Sequence, residues 1–301
     1  MPSLRARLIR FLARRHFNDI NPDSDLGMLR ARFEQMAGRM RRPRGIALRH
    51  ATVAGIDCDW LVPTGCDRAP LLYYLHGGAY VMGSSRTHRA LVGHIAKAAG
   101  VRAVLPNYRL APEHRFPASI EDACAVYRRL LEQGEDPAQI AIGGDSAGGG
   151  LTMATLITLR DAGDPLPGAV LLLSPWLDLT ASGESMRTRA ELDPLFRPER
   201  MDEVADYYCE RDEVDDPRVS PVFADVTGLP PVFIQVGDHE ILLSDSTRLS
   251  DRLSAAGGDV TLQIWPDMWH VFQYFAGQMP EARHAIRDIG DFLSRRLGTR
   301  H

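Results

Sequence analysis

From about residue 51, short apolar runs alternate with longer stretches of helical period, and this alternation restricts the fold more than any other feature of the chain. The apolar runs cover residues 71–75, 101–105, 139–142, 169–173, 232–236 and 260–264. Each is continuous rather than alternating, as expected for strands buried on both faces of a mostly parallel sheet. Helical stretches fall between them at 88–99, 118–133, 147–161, 244–256 and 281–297. The last carries Ile286, Ile289, Leu293 and Leu297 on one stripe, with Gly298 as its stop signal. At 301 residues the chain can bury one large core, and no repeat or low-complexity segment interrupts it.

Two segments stand outside the alternation. Residues 1–45 are Arg-rich with two weak amphipathic patterns, and residues 181–220 form a polar insertion with a helical part near 198–211. Both are expected to pack as a helical cap over one end of a catalytic domain spanning 46–301. An insertion there sits above the strand C-termini, where ligands bind. A basic amphipathic N-terminus lying on a membrane surface is the alternative.

Composition excludes several chemistries. A net charge of −4 provides no overall basic field, so no nucleic-acid partner is expected. Lys97 is the single lysine and lies in a helical stretch, which argues against Schiff-base or Ser-Lys mechanisms. Cys58, Cys66, Cys124 and Cys209 show no metal or redox spacing and read as free thiols of a reducing, cytoplasmic compartment. No apolar run is long enough to suggest stable membrane insertion.

The chemistry is concentrated in three places. Gly143 to Gly150, with Ser146 at its centre, joins a strand to a helix. Such a turn forces its middle residue into a strained conformation and needs small residues two before and two after, here Gly144 and Gly148. Glycine-rich turns also bind phosphate, but no Gly-Lys-Ser/Thr loop or GxGxxG pattern is present. The run 71–75 ends in His76-Gly77-Gly78-Ala79-Tyr80, a loop suited to presenting backbone N–H groups to an oxyanion. The expected donors are Gly77, Gly78 and Ala147, with His76 holding the loop.

Among ten histidines, His270 follows the last strand-like run, where a nucleophile–acid–histidine order places the base. His16, His50 and His301 lie at or beyond the border of the core, and His88, His94 and His284 lie in helical stretches. His114 precedes the nucleophile. The acid should come one strand earlier, where Asp238, Glu240 and Asp245 compete. Asp245 reads as a helix-start carboxylate. Glu240 is preferred over Asp238, because its thirty-residue separation from His270 holds one helix and one strand.

These motifs resemble those of the hormone-sensitive-lipase family of bacterial carboxylesterases, which has the α/β-hydrolase fold. His76 to Tyr80 is similar to the family's HGGG loop, Tyr108-Arg109-Leu110-Ala111-Pro112-Glu113 to its YRLAPE segment, and Gly144 to Gly149 to its GDSAGG elbow. Ser174 to Leu179 and Gly228 to Pro231 also match. The resemblance implies hydrolysis of short-chain acyl esters, a helical cap, no metal or other cofactor, and often a homodimer. Its D/E-x-L acid stretch falls on Glu240-Ile241-Leu242, and Asp145 is implied to support the site. The departure is Ala79, where a third glycine is usual; its methyl bears on the room left for bulky tertiary alcohols. A ligand-binding protein on the same fold is the rival from another class, disfavoured by the presence of His270. An amidase or peptidase is the rival among enzymes.

Overall fold

The structure, a computed structural model, describes residues 2–18 and 25–299, the side chains of 16–18 excepted. The His301 reading and that of the His16 side chain lie outside the described residues.

Helices α1 (Leu4–Asn18) and α2 (Leu26–Gly38) precede a hairpin of β1 (Ile46–Val53) and β2 (Ile56–Pro63). There follow β3 (Leu71–Leu75), α3 (Ser85–Ala99), β4 (Arg102–Pro106), α4 (Ala118–Glu132), β5 (Ile140–Asp145), α5 (Ala147–Asp161) and β6 (Ala169–Leu173). After α6 (Glu184–Thr188) and α7 (Met201–Tyr208) come β7 (Val232–Gly237), α8 (Leu243–Ala255), β8 (Val260–Trp265) and α9 (Pro280–Leu297). One eight-stranded sheet results, in the order β1-β2-β4-β3-β5-β6-β7-β8. Strands β4 to β8 and β3 pair in parallel, and β2 joins them antiparallel to both β1 and β4.

The continuous apolar runs are explained by the two faces of this sheet. Leu71, Tyr73, Leu75, Ile140, Ile142, Val170 and Leu172 point to one face, under Val126 and Tyr127 of α4, Leu151 of α5 and Leu249 of α8. Leu72, Tyr74, Ala141, Leu171, Leu173 and Phe233 point to the other, under Leu91 and Ile95 of α3 and Ile289 and Leu293 of α9. In the central strands β3, β5, β6 and β7 neither face meets water, so both positions of the two-residue period are largely apolar.

Two departures from the sequence expectation have clear local reasons. Helix α3 begins at Ser85 rather than 88, because Ser84 and Thr87 form a reciprocal capping box across its first turn. The β1–β2 hairpin was not anticipated, since β1 is largely exposed and its Arg49, His50 and Thr52 break any apolar run. The signal present was Ala54-Gly55, both at positive φ (53° and 83°), a two-residue turn of the twist that hairpins favour.

The N-terminal segment and the 181–220 insertion both approach the C-terminal end of the sheet. Arg10 donates from Nη2 to Leu192 O at 3.0 Å, and Arg30 donates to Val81 O (2.6 Å) and Ala111 O (2.8 Å). Tyr208 of α7 stacks on Tyr80 with ring centroids 3.8 Å apart, and its carbonyl accepts the Phe116 N–H at 2.8 Å.

Asp245 lies in the first turn of α8, as its sequence position indicated, but is wholly buried. Its Oδ2 accepts the N–H groups of Leu177 (2.7 Å) and Asp178 (3.0 Å), while Oδ1 has no hydrogen-bond partner among the described residues. Burial, opposed by the Leu177 amide and aided by the charge of Asp178, pushes its carboxyl up to about 8. An unfolded chain releases this proton near pH ~4. Between that value and about 8 the folded chain holds more protons, so this group's stabilising contribution falls as pH rises and levels off above. Asp245→Asn removes the titration while keeping a neutral acceptor. Thermal unfolding at about pH 5 and about pH 9 should show a smaller loss of Tm in this variant than in the parent chain; equal losses contradict a protonated Asp245.

Candidate active site

Strand β5 ends at Asp145 and α5 starts at Ala147, leaving Ser146 at φ 54°, ψ −126°. That left-handed conformation is unfavourable for serine and is held from both sides: Ser146 N–H donates to Leu173 O, and Ser146 O accepts from Trp176 N–H, each at 2.9 Å. The turn closes only because its flanks lack side chains. A Cβ on Gly144 would meet Gly148 O at 2.3 Å, and one on Gly148 would meet Leu75 O at 2.1 Å. Ser146 is thereby raised above the sheet at the positive end of α5.

The His76–Tyr80 loop runs beside this elbow, and Asp145 fastens the two together. The Asp145 carboxylate accepts the Tyr74 hydroxyl (2.9 Å) and the Gly77 N–H (3.1 Å) on Oδ1, and His88 Nε2 (3.2 Å) on Oδ2. Burial alone would raise its carboxyl, but the charge and hydrogen bond of His88, with Tyr74 and His76, hold it below the usual range. His76 lies stacked on Tyr108 at 4.2 Å, and its ring accepts no charge: burial and the neighbouring His88 push it down to about 3. The Tyr108 hydroxyl donates to His76 O at 2.6 Å.

One sequence expectation fails here. The Gly77 amide, read as an oxyanion donor, is engaged by Asp145 and points into the protein. The amides of Gly78, Ala79 and Ala147 have no acceptor among the described residues. Ala79 takes φ 55°, a left-handed value that aims its N–H as a glycine there would, while keeping the extra methyl.

His270 follows β8 and is 6% exposed; Glu240 follows β7 and is fully buried. The His270 Nδ1 donates to Glu240 Oε2 at 2.8 Å. Glu240 Oε1 accepts Ser174 Oγ (2.8 Å) and Gly237 N–H (2.7 Å), so its orientation is fixed by three donors. Ser174 Oγ in turn accepts the Val271 N–H at 3.1 Å, joining the end of β6 to the histidine loop. Asp238 faces elsewhere and accepts the Asp267 N–H at 2.6 Å. No hydrogen bond joins Ser146 to the His270 ring, whose bond is to Glu240.

Two residues of this neighbourhood went unread in the sequence. Asp193 is fully buried; Oδ1 accepts Leu195 N–H (2.8 Å) and Phe196 N–H (3.0 Å), and Oδ2 accepts the N–H of Ile241, next to Glu240, at 2.9 Å. Phe196 stands edge-on to His270, with ring centroids 4.7 Å apart at 71°. The only signal was Asp193-Pro194 inside an otherwise polar insertion, which marks a turn and nothing more. Among the described residues no group of three or more His, Cys, Asp or Glu side chains is arranged to hold a metal ion.

This arrangement has close counterparts. A model of a family with the alpha/beta hydrolase fold matches residues 72–274. The chain is 41% identical to an acetyl-hydrolase of Streptomyces hygroscopicus over 89% of this chain and 88% of that protein. It is 36% identical to an esterase of Acinetobacter venetianus, covering 88% of each. A crystal structure of an esterase from the bacterial hormone-sensitive lipase family superposes with a TM-score of 0.95 at 43% identity, over 99% of this chain and 100% of that one. Fold, elbow and likeness across nearly the whole length converge: the chain belongs to the α/β-hydrolase family, in its bacterial hormone-sensitive-lipase branch, and is a carboxylic ester hydrolase.

Proposed function

We propose that this enzyme hydrolyses short- to medium-chain acyl esters through an acyl-enzyme intermediate, with Ser146, His270 and Glu240 as its triad. The observation that carries the reading is the 2.8 Å bond from His270 Nδ1 to a carboxylate that has no proton to donate. It supports a ring proton on Nδ1, with Nε2 as the base in this reading. Ser146 Oγ attacks the ester carbonyl as Nε2 takes its proton, and Glu240 stabilises the imidazolium. His270 then returns that proton to the departing alcohol. Water repeats the sequence: His270 takes its proton as its oxygen bonds to the acyl carbon, and that proton then passes to Ser146 Oγ as the acyl–Oγ bond breaks, freeing the acid and the enzyme. The developing oxyanion is met by the N–H groups of Gly78, Ala79 and Ala147, which have no acceptor among the described residues.

Residues 1–45 and 181–220 act in this reading as the cap over a 46–301 catalytic domain. Phe196, against His270, and Tyr208, against Tyr80, bring the insertion to the site. The cytoplasm suits four unpaired cysteines, Cys58, Cys66, Cys124 and Cys209. A homodimer is the expected assembly, to be read from the mass in solution.

Glu240→Gln must point its amide nitrogen at His270, because Oε1 is already taken by Ser174 and Gly237. The ring then carries its proton on the wrong nitrogen, and kcat should fall about a thousandfold or more with KM little changed. Asp238→Asn should retain activity within about twofold. The reverse pattern would transfer the role to Asp238. In a p-nitrophenyl ester series, chains of about C2 to C8 should be preferred, the expectation for a cap that closes over the site and leaves room for a small ligand. Phe196→Ala should move the optimum to longer chains; strong long-chain activity in the parent enzyme contradicts the closed cap.

A further inference from the structure

The outward face of α1 takes no part in the hydrolytic chemistry and yet is markedly apolar. Leu4, Leu8, Phe11 and Leu12 are 80%, 58%, 63% and 54% exposed. At helical spacing these four side chains fall within an arc of about 100°, a continuous stripe rather than scattered surface residues. Arg5, Arg14 and Arg15 are exposed on the same helix, and α1 contains five arginines with no acidic residue.

The opposite face is firmly attached. Ala6 is 1% exposed in the core beneath α9, and Ile9 packs against it. Ser3 donates from N (2.6 Å) and Oγ (3.0 Å) to the Glu281 carboxylate, and Arg10 donates to Leu192 O at 3.0 Å. The stripe is therefore presented outward by a helix whose inner side is already satisfied. A hydrophobic stripe flanked by Arg5 and Arg14, with Arg15 at its C-terminal end one turn beyond Phe11, matches the boundary layer of an anionic bilayer, where apolar side chains enter the acyl region and arginines meet phosphates. A second copy fits this face poorly, because two such helices set side by side bring arginine against arginine.

We propose that α1 docks this chain peripherally on an anionic lipid surface. Leu4, Leu8, Phe11 and Leu12 enter the headgroup boundary, and Arg5, Arg14 and Arg15 contact lipid phosphates. The helix touches Leu192, one residue before the Asp193 turn that sets Phe196 over His270, so docking places the site's rim beside the membrane. The proposal stands whichever residue is the nucleophile.

Flotation of the full chain with vesicles of phosphatidylcholine alone, or mixed equally with phosphatidylglycerol, tests it directly. The parent chain should float with the anionic vesicles, far less with the neutral ones, and detach as salt rises. Leu8→Glu/Phe11→Glu should lower partitioning about tenfold or more, and Arg5→Gln/Arg14→Gln/Arg15→Gln should remove the preference for anionic lipid. Tm and elution volume of each variant establish that it is folded. Three results overturn the proposal: equal binding to both vesicle types, unchanged binding by the Leu8→Glu/Phe11→Glu chain, or no vesicle binding with a dimer that this double substitution dissociates.

Discussion

The carboxylate of Asp145 is 3% exposed and receives the Tyr74 hydroxyl, the Gly77 N–H and His88 Nε2. It stands one residue before Ser146 and one hydrogen bond from the loop that offers Gly78 and Ala79. A charge so deeply buried is tolerable only when every lone pair it aims inward is answered, and here the answering groups come from β3, its following loop and α3. The elbow and the His76–Tyr80 loop are thus one rigid unit, in place before any ester arrives. That is the condition under which backbone dipoles stabilise a developing oxyanion most effectively.

A second unit forms on the neighbouring strands. Glu240 is gripped by Ser174 and Gly237 as well as by His270, and Asp193 ties the cap insertion to the amide of Ile241. Phe196, outside every motif, and Ser174, at the head of the Ser174–Leu179 motif, thus stand in direct contact with this unit. Ser174 joins three strand ends, and Phe196 packs edge-on against the histidine. The parallel sheet makes this convergence possible: β5, β6, β7 and β8 deliver their C-terminal loops to one edge in succession.

How far the sequence could be read follows from the range of the forces involved. Strands β3 and β6 and helix α5 match the expected 71–75, 169–173 and 147–161, because burial on both faces leaves an unbroken apolar signature. The exposed β1 has no such signature, and only its Ala54-Gly55 turn could have revealed it. His88, read as solvated or structural, is buried against Asp145, a contact across 57 residues that no local pattern encodes. The direction of a single amide is likewise invisible in a glycine-rich loop, which is why Gly77 was read as a donor when Asp145 already holds it. Asp193 is a further case: Leu195 and Phe196 belong to the local turn that Asp193-Pro194 marks, but the contact to Ile241, which ties it to the site, is made across 48 residues and no local pattern encodes it.

The central claim is that Ser146, strained at φ 54° on its elbow, is the nucleophile that takes the acyl group. An organophosphate that phosphorylates activated serines tests this most directly, by peptide mass mapping alongside residual ester hydrolysis. The account predicts one phosphoryl adduct, located on Ser146, with activity lost in proportion to its occupancy. An adduct on another residue, or full activity with Ser146 modified, would contradict it.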